Sequence, residues 1–382
     1  MLVVLPENGF GIYLHWPFCQ AKCPYCDFNS HVVPNVDDDA WASAFESELD
    51  RIAILTGDRV LNSIFFGGGT PSLMAVSTVE RIMNRISSHW RLANNLEVTL
   101  EANPTSIEAD RFSGYRDAGV NRVSVGVQAL NDTDLKALGR LHSANEALHA
   151  VEIARSTFDR VSFDLIYARQ NQSISDWRSE LSRAINFDPD HLSLYQLTIE
   201  DGTAFGERFK RGTLRGLPDE DLGADLWDVT QELCSKADLP AYEVSNHAKA
   251  GQESLHNQIY WQAGDWAGIG PGAHGRLTID GDRYETVAAK APTAWISRVS
   301  ERDTGDVVYR ALSSEAITEE RILMGLRVIT GVEMPASWIN NKSFVINWLV
   351  DDGLLKLNSN VLSVSPSGRP LLNAIIEKLL TS

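Results

Sequence analysis

From residue 11 to about residue 200, short apolar, β-branched runs alternate with longer segments whose apolar residues recur every three to four positions. The runs Gly11–Trp16, Ser63–Phe66, Glu97–Leu100, Arg122–Val127, Arg160–Leu165 and His191–Leu197 read as strands. Between them, Ala40–Leu55, Ser77–Trp90, Ile107–Ala118, Asn145–Phe158 and Ile174–Phe187 read as helices. Ser77 followed by Glu80 predicts a capping box. Gly119 and Asp188-Pro189 predict helix stops. Six βα units predict an α/β fold, a parallel sheet curling into a partial (β/α)6 barrel. Ligands gather where strands end in such folds. The unusual residues fall there: Cys19 to Cys26, Gly67-Gly68-Gly69-Thr70, Glu101, Gln128, Asp164 and Gln196.

Beyond the repeat the pattern changes twice. Residues 201 to about 310 are less regular and rich in Gly and Trp. From Ser314 the order is a helix (Thr318–Ile329), a second helical stretch (Phe344–Val350), two short strands around Asn358-Ser359-Asn360 and a last helix (Gly368–Leu380). That order predicts a smaller winged-helix-like α+β domain. The expected division is therefore a barrel core at 1–230, an irregular segment at 231–310 and the C-terminal domain at 311–382. The last carries 6 Lys/Arg against 7 Asp/Glu, so it reads as a packing or interaction module rather than a DNA reader.

Charge narrows the partners. A formal net charge of −17 over 382 residues argues against a nucleic-acid surface and against anionic lipid, because both need a basic face. No apolar run approaches the roughly 20 residues that span a bilayer. The amino terminus is too short and uncharged for a secretory signal, so a cytoplasmic location is expected. The four cysteines, three of them in one loop, do not form a disulfide framework. Cys234 reads as a small buried residue.

The loop is C-Q-A-K-C-P-Y-C, with Cys19, Cys23 and Cys26. Three thiolates can hold three irons of a cubane cluster and leave the fourth open to a ligand. Soft sulfur ligands suit iron–sulfur, zinc or copper(I), and the competing reading is a zinc knuckle completed by His15 or His31. Gly67-Gly68-Gly69-Thr70 lets backbone approach a ligand closely. It is not a nucleotide phosphate loop, since neither G-x-G-x-x-G nor a following Lys is present. Arg140 offers a planar fork to a carboxylate. His256, Tyr260 and Trp261 set an imidazole beside two aromatic rings, which by spacing alone reads as an aromatic anchor beside a hydrogen-bonded histidine.

The strings IYLHWPFCQAKCPYCDF, FFGGGTPSLM, EANP, GVQ, GRLH and FDLIY occur in that order. They resemble the radical S-adenosylmethionine (radical SAM) superfamily, in particular its oxygen-independent coproporphyrinogen III dehydrogenases and their relatives. The likeness runs through LSLYQLTIEDGT and YEVSNHA to IGPGAHG and the C-terminal domain. It implies a radical SAM barrel in which Cys19, Cys23 and Cys26 ligate a 4Fe-4S cluster. Tyr13, Tyr25, Gly68, Gly69, Thr70, Glu101, Gln128, Arg140 and Asp164 would line the S-adenosylmethionine site. In that superfamily the open iron chelates S-adenosylmethionine, which an electron from the cluster cleaves to a 5′-deoxyadenosyl radical. The dehydrogenase branch carries a further cysteine two places after the third, where this chain has Phe28. His256-Asn257-Gln258-Ile259-Tyr260-Trp261 is similar to the H-N-x-x-Y-W motif of the HemW-type heme chaperones, which implies an imidazole from His256 that can ligate heme iron, with His247 and His274 as alternative ligands, and Tyr260 and Trp261 as aromatic faces against the porphyrin. The resemblance thus implies heme as a third cofactor, a heme-accepting protein and an electron donor as partners, and at most peripheral membrane association. It leaves a homodimer and the coproporphyrinogen III dehydrogenase reading open.

Overall fold

The structure, a computed structural model, describes residues 9–381. The expected βα repeat is present as β1 (Phe10–Trp16), α1 (Asp38–Thr56), β2 (Val60–Gly68), α2 (Val76–His89) and β3 (Arg91–Ala102). Short helices α3 (Ser106–Ala109) and α4 (Phe112–Asp117) follow, then β4 (Arg122–Gln128), α5 (Asp132–Ala137), α6 (Ala144–Thr157), β5 (Arg160–Tyr167), α7 (Ile174–Ile185) and β6 (His191–Gln196). Strands β1 to β6 pair in parallel in chain order.

Local chemistry explains the boundaries, with two departures from expectation. Ser77 does not cap α2: the helix starts one residue earlier, its N-cap is Ala75, and no side chain bonds there. Full capping boxes form instead at Ser143 with Glu146 and at Ser173 with Asp176. The single helix expected over 107–118 is broken before Phe112. At the break the Arg111 guanidinium donates to the Leu73 carbonyl at 3.1 Å, and Tyr115 Oη donates to that of Met74 at 2.7 Å. Gly119 ends α4 at φ 104°, a conformation that glycine adopts without strain.

The repeat is followed by α8 (Ala204–Lys210), α9 (Glu220–Lys236), β7 (Asn246–Ala248), α10 (Leu255–Trp261), β8 (Asp265–Ile269), β9 (His274–Ile279), β10 (Asp282–Ala288), α11 (Pro292–Arg302) and β11 (Asp306–Ala311). The stretch without clean periodicity therefore completes one eleven-stranded sheet, ordered β11-β10-β9-β8-β1-β2-β3-β4-β5-β6-β7. One of its tryptophans is structural: Trp295 stacks on Trp41 at 5.4 Å between ring centroids, docking α11 against α1. Helix α10 packs against β1, β2 and β8 beneath the barrel.

Alternation along the strands decides what the barrel holds. Val123, Val125 and Val127, or Val161, Phe163 and Leu165, belong to the apolar core outside the sheet. The intervening Arg122, Ser124, Gly126, Gln128 and Asp164 line cavities inside it. A barrel packed only for stability is filled with branched aliphatic side chains. This interior is polar and hollow, which is the arrangement of a binding site.

The C-terminal region comprises α12 (Ser314–Gly325), β12 (Val332–Glu333), α13 (Ala336–Asn341), α14 (Ser343–Asp351), β13 (Leu355–Asn358), β14 (Val361–Val364) and α15 (Leu372–Thr381). Its three antiparallel strands, ordered β12-β14-β13, and its own core around Ile322, Ile346, Leu362 and Leu379 form the winged-helix-like α+β domain. Glu320 on α12 ties it to the main sheet by accepting from Arg276 at 2.6 Å and Arg283 at 3.2 Å.

Candidate functional site

At the end of β1 the chain leaves the sheet and closes a loop. The Cys19 N–H donates to the His31 carbonyl at 2.9 Å, and the His31 N–H donates to that of Pro17 at 2.7 Å. Cys19, Cys23 and Cys26 are carried on that loop, half-buried and free. Thr70 Oγ1 donates to Cys19 Sγ and an Arg140 nitrogen to Cys23 Sγ, each at 3.4 Å. Such donors stabilise thiolate charge and tune a bound cluster. Burial pushes the Cys19 and Cys26 thiols above the usual range, a penalty that bound irons would offset with their positive charge. His15 is spent elsewhere: its Nδ1 meets Tyr13 Oη at 3.0 Å and its Nε2 the Asn29 carbonyl at 2.9 Å. Among the described residues, no three His, Cys, Asp or Glu side chains converge on one metal-ion position. Three thiolates each serving a different iron need no such convergence.

Opposite the loop lies the glycine run. Gly68 has φ 112°, and a Cβ there would stand 2.8 Å from the Trp16 carbonyl oxygen. A Cβ on Gly69 would meet the Phe18 backbone at 2.7 Å. Any side chain would push the run away from the cysteine loop. The Gly69 and Thr70 N–H groups donate to the Trp16 and Phe18 carbonyls, and the Gly68 N–H donates to Glu101 Oε2 at 3.2 Å.

Between loop and run opens a cavity of about 390 Å³. Tyr25, Gly68, Gly69, Thr70, Glu101, Gln128, Arg140 and Asp164 all line it together with the three cysteines. Tyr13 does not; it lies one layer deeper. The Arg140 fork is already engaged, donating to Asn103 Oδ1 at 2.6 Å and the Gly126 carbonyl at 3.0 Å as well as to Cys23. Arg140 therefore braces the loop. Gln128 ends β4 at φ 69°, beyond a register shift between β4 and β5, so the wall at this point stores backbone strain. Asn103, Ser124 and Tyr195 also line the cavity and escaped the sequence reading. Asn103 stands inside the EANP string. Ser124 is legible only once β4 is known to alternate between core and cavity.

Burial governs the electrostatics. It pushes Glu101 up to about 8, with Asp164 raising it further and the Gly68 N–H opposing. Asp164 is pushed by burial to about 6, against hydrogen bonds from Ser193 and Ser124 and the charges of Arg122 and Arg140. Near neutral pH this wall can thus both donate and accept hydrogen bonds, as a ligand bearing hydroxyls and a charged amine requires.

A second cavity of about 220 Å³ lies beneath, sharing Glu101, Ser124, Asp164 and Tyr195 with the first. His256 and Tyr260 of α10 line it. His256 is 1% exposed; its Nδ1 bonds Ser63 Oγ and its Nε2 bonds Tyr260 Oη, both at 2.7 Å. Trp261 is apart from this cavity, its ring 5.4 Å beneath the Arg327 guanidinium. The three residues singled out for a porphyrin therefore do not share one surface. The space is smaller than the roughly 300 Å³ at which ligand pockets begin. His247 is buried, with Gln231 3.3 Å from its Nε2, while His274 is exposed on β9.

Residues 13–182 match the profile of the radical SAM superfamily. "Heme chaperone HemW" of Haemophilus influenzae is 34% identical over 97% of this chain and 98% of its own length. Its Escherichia coli namesake is 39% identical over 77% of each chain. "Radical S-adenosyl methionine domain-containing protein 1, mitochondrial" of Mus musculus is 36% identical over 97% of this chain and 87% of its own. Among solved structures, coproporphyrinogen III oxidase (HemN) from Escherichia coli, a radical SAM enzyme, superposes with a TM-score of 0.83 over 99% of this chain and 91% of its own. At 21% identity that likeness speaks for the fold alone. The chain belongs to the HemW family of the radical SAM superfamily.

Proposed function

We propose that this protein is a heme carrier that also holds a 4Fe-4S cluster and S-adenosylmethionine, and that it passes heme to an acceptor protein. The observation that carries the reading is end-to-end likeness, 34% over 97% and 98% of the two chains, to a protein named a heme chaperone. Cys19, Cys23 and Cys26 would hold the cluster, whose fourth iron would supply a Lewis-acidic and reducing site when bound. The remaining residues act on the ligand. Gly68, Gly69 and Thr70 bring backbone to its polar end, Glu101, Gln128 and Asp164 bond it from the strand ends, and Tyr25 walls it. Arg140 and Asn103 hold the loop against the glycine run, and Tyr13 positions His15 beneath. The reading includes an electron donor for the cluster, a cytoplasmic site of action and an acceptor that the carrier meets in solution or at a membrane surface.

A second reading, radical oxidative decarboxylation of coproporphyrinogen III, draws on the complete cofactor cavity. Phe28 weighs against it: where the resemblance calls for another cysteine, a 57% exposed phenylalanine stands at the cavity wall. Anaerobic reconstitution with iron and sulfide separates the two. A carrier binds hemin stoichiometrically and releases no 5′-deoxyadenosine with coproporphyrinogen III. Substrate-dependent release together with vinyl-group formation would establish the enzyme instead.

A further inference from the structure

Immediately after the cluster loop, residues 28–33 leave three large apolar side chains in water. Phe28, Val32 and Val33 are 57%, 55% and 38% exposed. Exposed apolar residues are ordinary one by one, but three within six positions directly after the cysteine loop make this stretch a candidate binding surface. The backbone beneath them is fixed. The Ser30 N–H donates to the Phe28 carbonyl and the His31 N–H to that of Pro17, each at 2.7 Å. Asn29 Nδ2 donates to the Pro271 and Lys290 carbonyls at 2.9 and 2.8 Å, fastening the segment to the neighbouring loops.

His31 sits within this apolar stretch, half-exposed. Its ring hydrogen bond among the described residues is the 3.3 Å contact of Nε2 with Asn29 Oδ1, longer than a good one and simple to displace. His256 contrasts with it, being enclosed with both ring nitrogens engaged. His274 is exposed but lies among the charges of Arg276, Glu285 and Lys290. Two exposed lysines flank the segment. Lys22 Nζ donates to the Ser30 carbonyl at 3.4 Å, and Lys290 is anchored through its own carbonyl to Asn29. In a chain of net charge −17, Lys22 beside His31 and Lys290 in the adjoining loop outnumber the one exposed carboxylate of the stretch, Asp27, and cations next to apolar side chains and an accessible imidazole fit a flat apolar ligand bearing a metal and carboxylates.

We propose that residues 28–33 seat an iron porphyrin, with His31 as axial ligand, Phe28, Val32 and Val33 against the macrocycle, and Lys22 and Lys290 facing its propionates. The proposal rests on the heme-carrier reading and gives it a location at the mouth of the cofactor cavity, which Phe28 also lines. His256, in this account, belongs to the barrel floor.

The test uses full-length, cluster-loaded protein titrated with hemin and, in parallel, with hemin dimethyl ester, whose propionates carry no charge. Difference spectra remove the cluster absorbance, and low-temperature electron paramagnetic resonance reports the axial ligand. His31→Ala should weaken hemin binding roughly tenfold or more and lose the imidazole signature, with free imidazole restoring it. Val32→Ser with Val33→Ser, which spares the His31 backbone bonds, should weaken both probes. Lys22→Glu with Lys290→Glu should weaken hemin but not the ester. His256→Ala should leave affinity and spectrum unchanged. Thermal melting checks that each variant is folded. Wild-type binding that survives both His31→Ala and the valine variant would overturn this site and leave the carrier reading standing. Absence of hemin binding by the wild type would overturn the carrier reading itself.

Discussion

Replacing His256 with Ala removes a buried imidazole that bridges β2 to α10. Ser63 Oγ, which is fully buried, and Tyr260 Oη, which borders the lower cavity, each lose a 2.7 Å partner. Each orphaned buried group costs about 1–3 kcal/mol, so with the void left by the ring the variant should be destabilised by about 2–5 kcal/mol. The penalty should also depend on pH, with a sign that the structure sets. Burial, with the Arg122 charge adding, pushes His256 down to about 3, so the folded protein keeps it neutral. The unfolded chain protonates it near 6.5. Below that value the unfolded state gains a proton that the folded state refuses, and stability is lost as pH falls toward 3, at up to about 1.4 kcal/mol per unit. Between pH 7.5 and 5.5 the wild type should lose about 1.4 kcal/mol through this residue and the variant none. The gap between them should narrow by that amount on acidification. Denaturant titration of cluster-free protein at the two pH values measures it. A variant within about 0.5 kcal/mol of wild type, or a gap independent of pH, would refute a structural role for His256.

Two other outcomes follow from the same geometry. Cys23→Ala should leave circular dichroism and the melting transition of the barrel close to wild type while reconstituted protein holds little iron or sulfide, because the Cys23 side chain faces the cavity and is no part of the apolar core; iron and acid-labile sulfide analysis checks it. Glu101, pushed up to about 8, stays protonated in the folded protein while the unfolded chain ionises near 4.5, so it favours the fold at low pH and loses that contribution as pH rises to about 8. Glu101→Gln should flatten that part of the stability profile of cluster-free protein and gain most over wild type at pH 8, as denaturant titration at pH 5, 6.5 and 8 would show.

Much of the candidate site was legible because its residues sit at strand ends, and strand ends follow from hydrophobic periodicity. Cys19 to Cys26, Gly68, Glu101, Gln128 and Asp164 needed only the positions of β1 to β5 to be grouped. Arg140 was legible as a cavity residue but not in its task, since its fork is claimed by Asn103 and Gly126, partners distant in sequence. The expected cap at Ser77 failed because a capping box marks a local preference, and the turn after Leu73 placed the helix start elsewhere.

Local pattern by itself determined the βα repeat, the thiol triplet and the winged-helix-like tail, since periodicity, spacing and turn residues act over a few positions of chain. The tertiary structure alone decided which face of each strand looks inward, and thereby that the barrel is hollow and polar rather than packed. It also decided that His256, 193 residues from its partner Ser63, is sealed beneath the cavity while His31 stays half-exposed after the cysteine loop. Accessibility and hydrogen-bond partnership depend on distant segments meeting, and no short stretch of sequence carries that information.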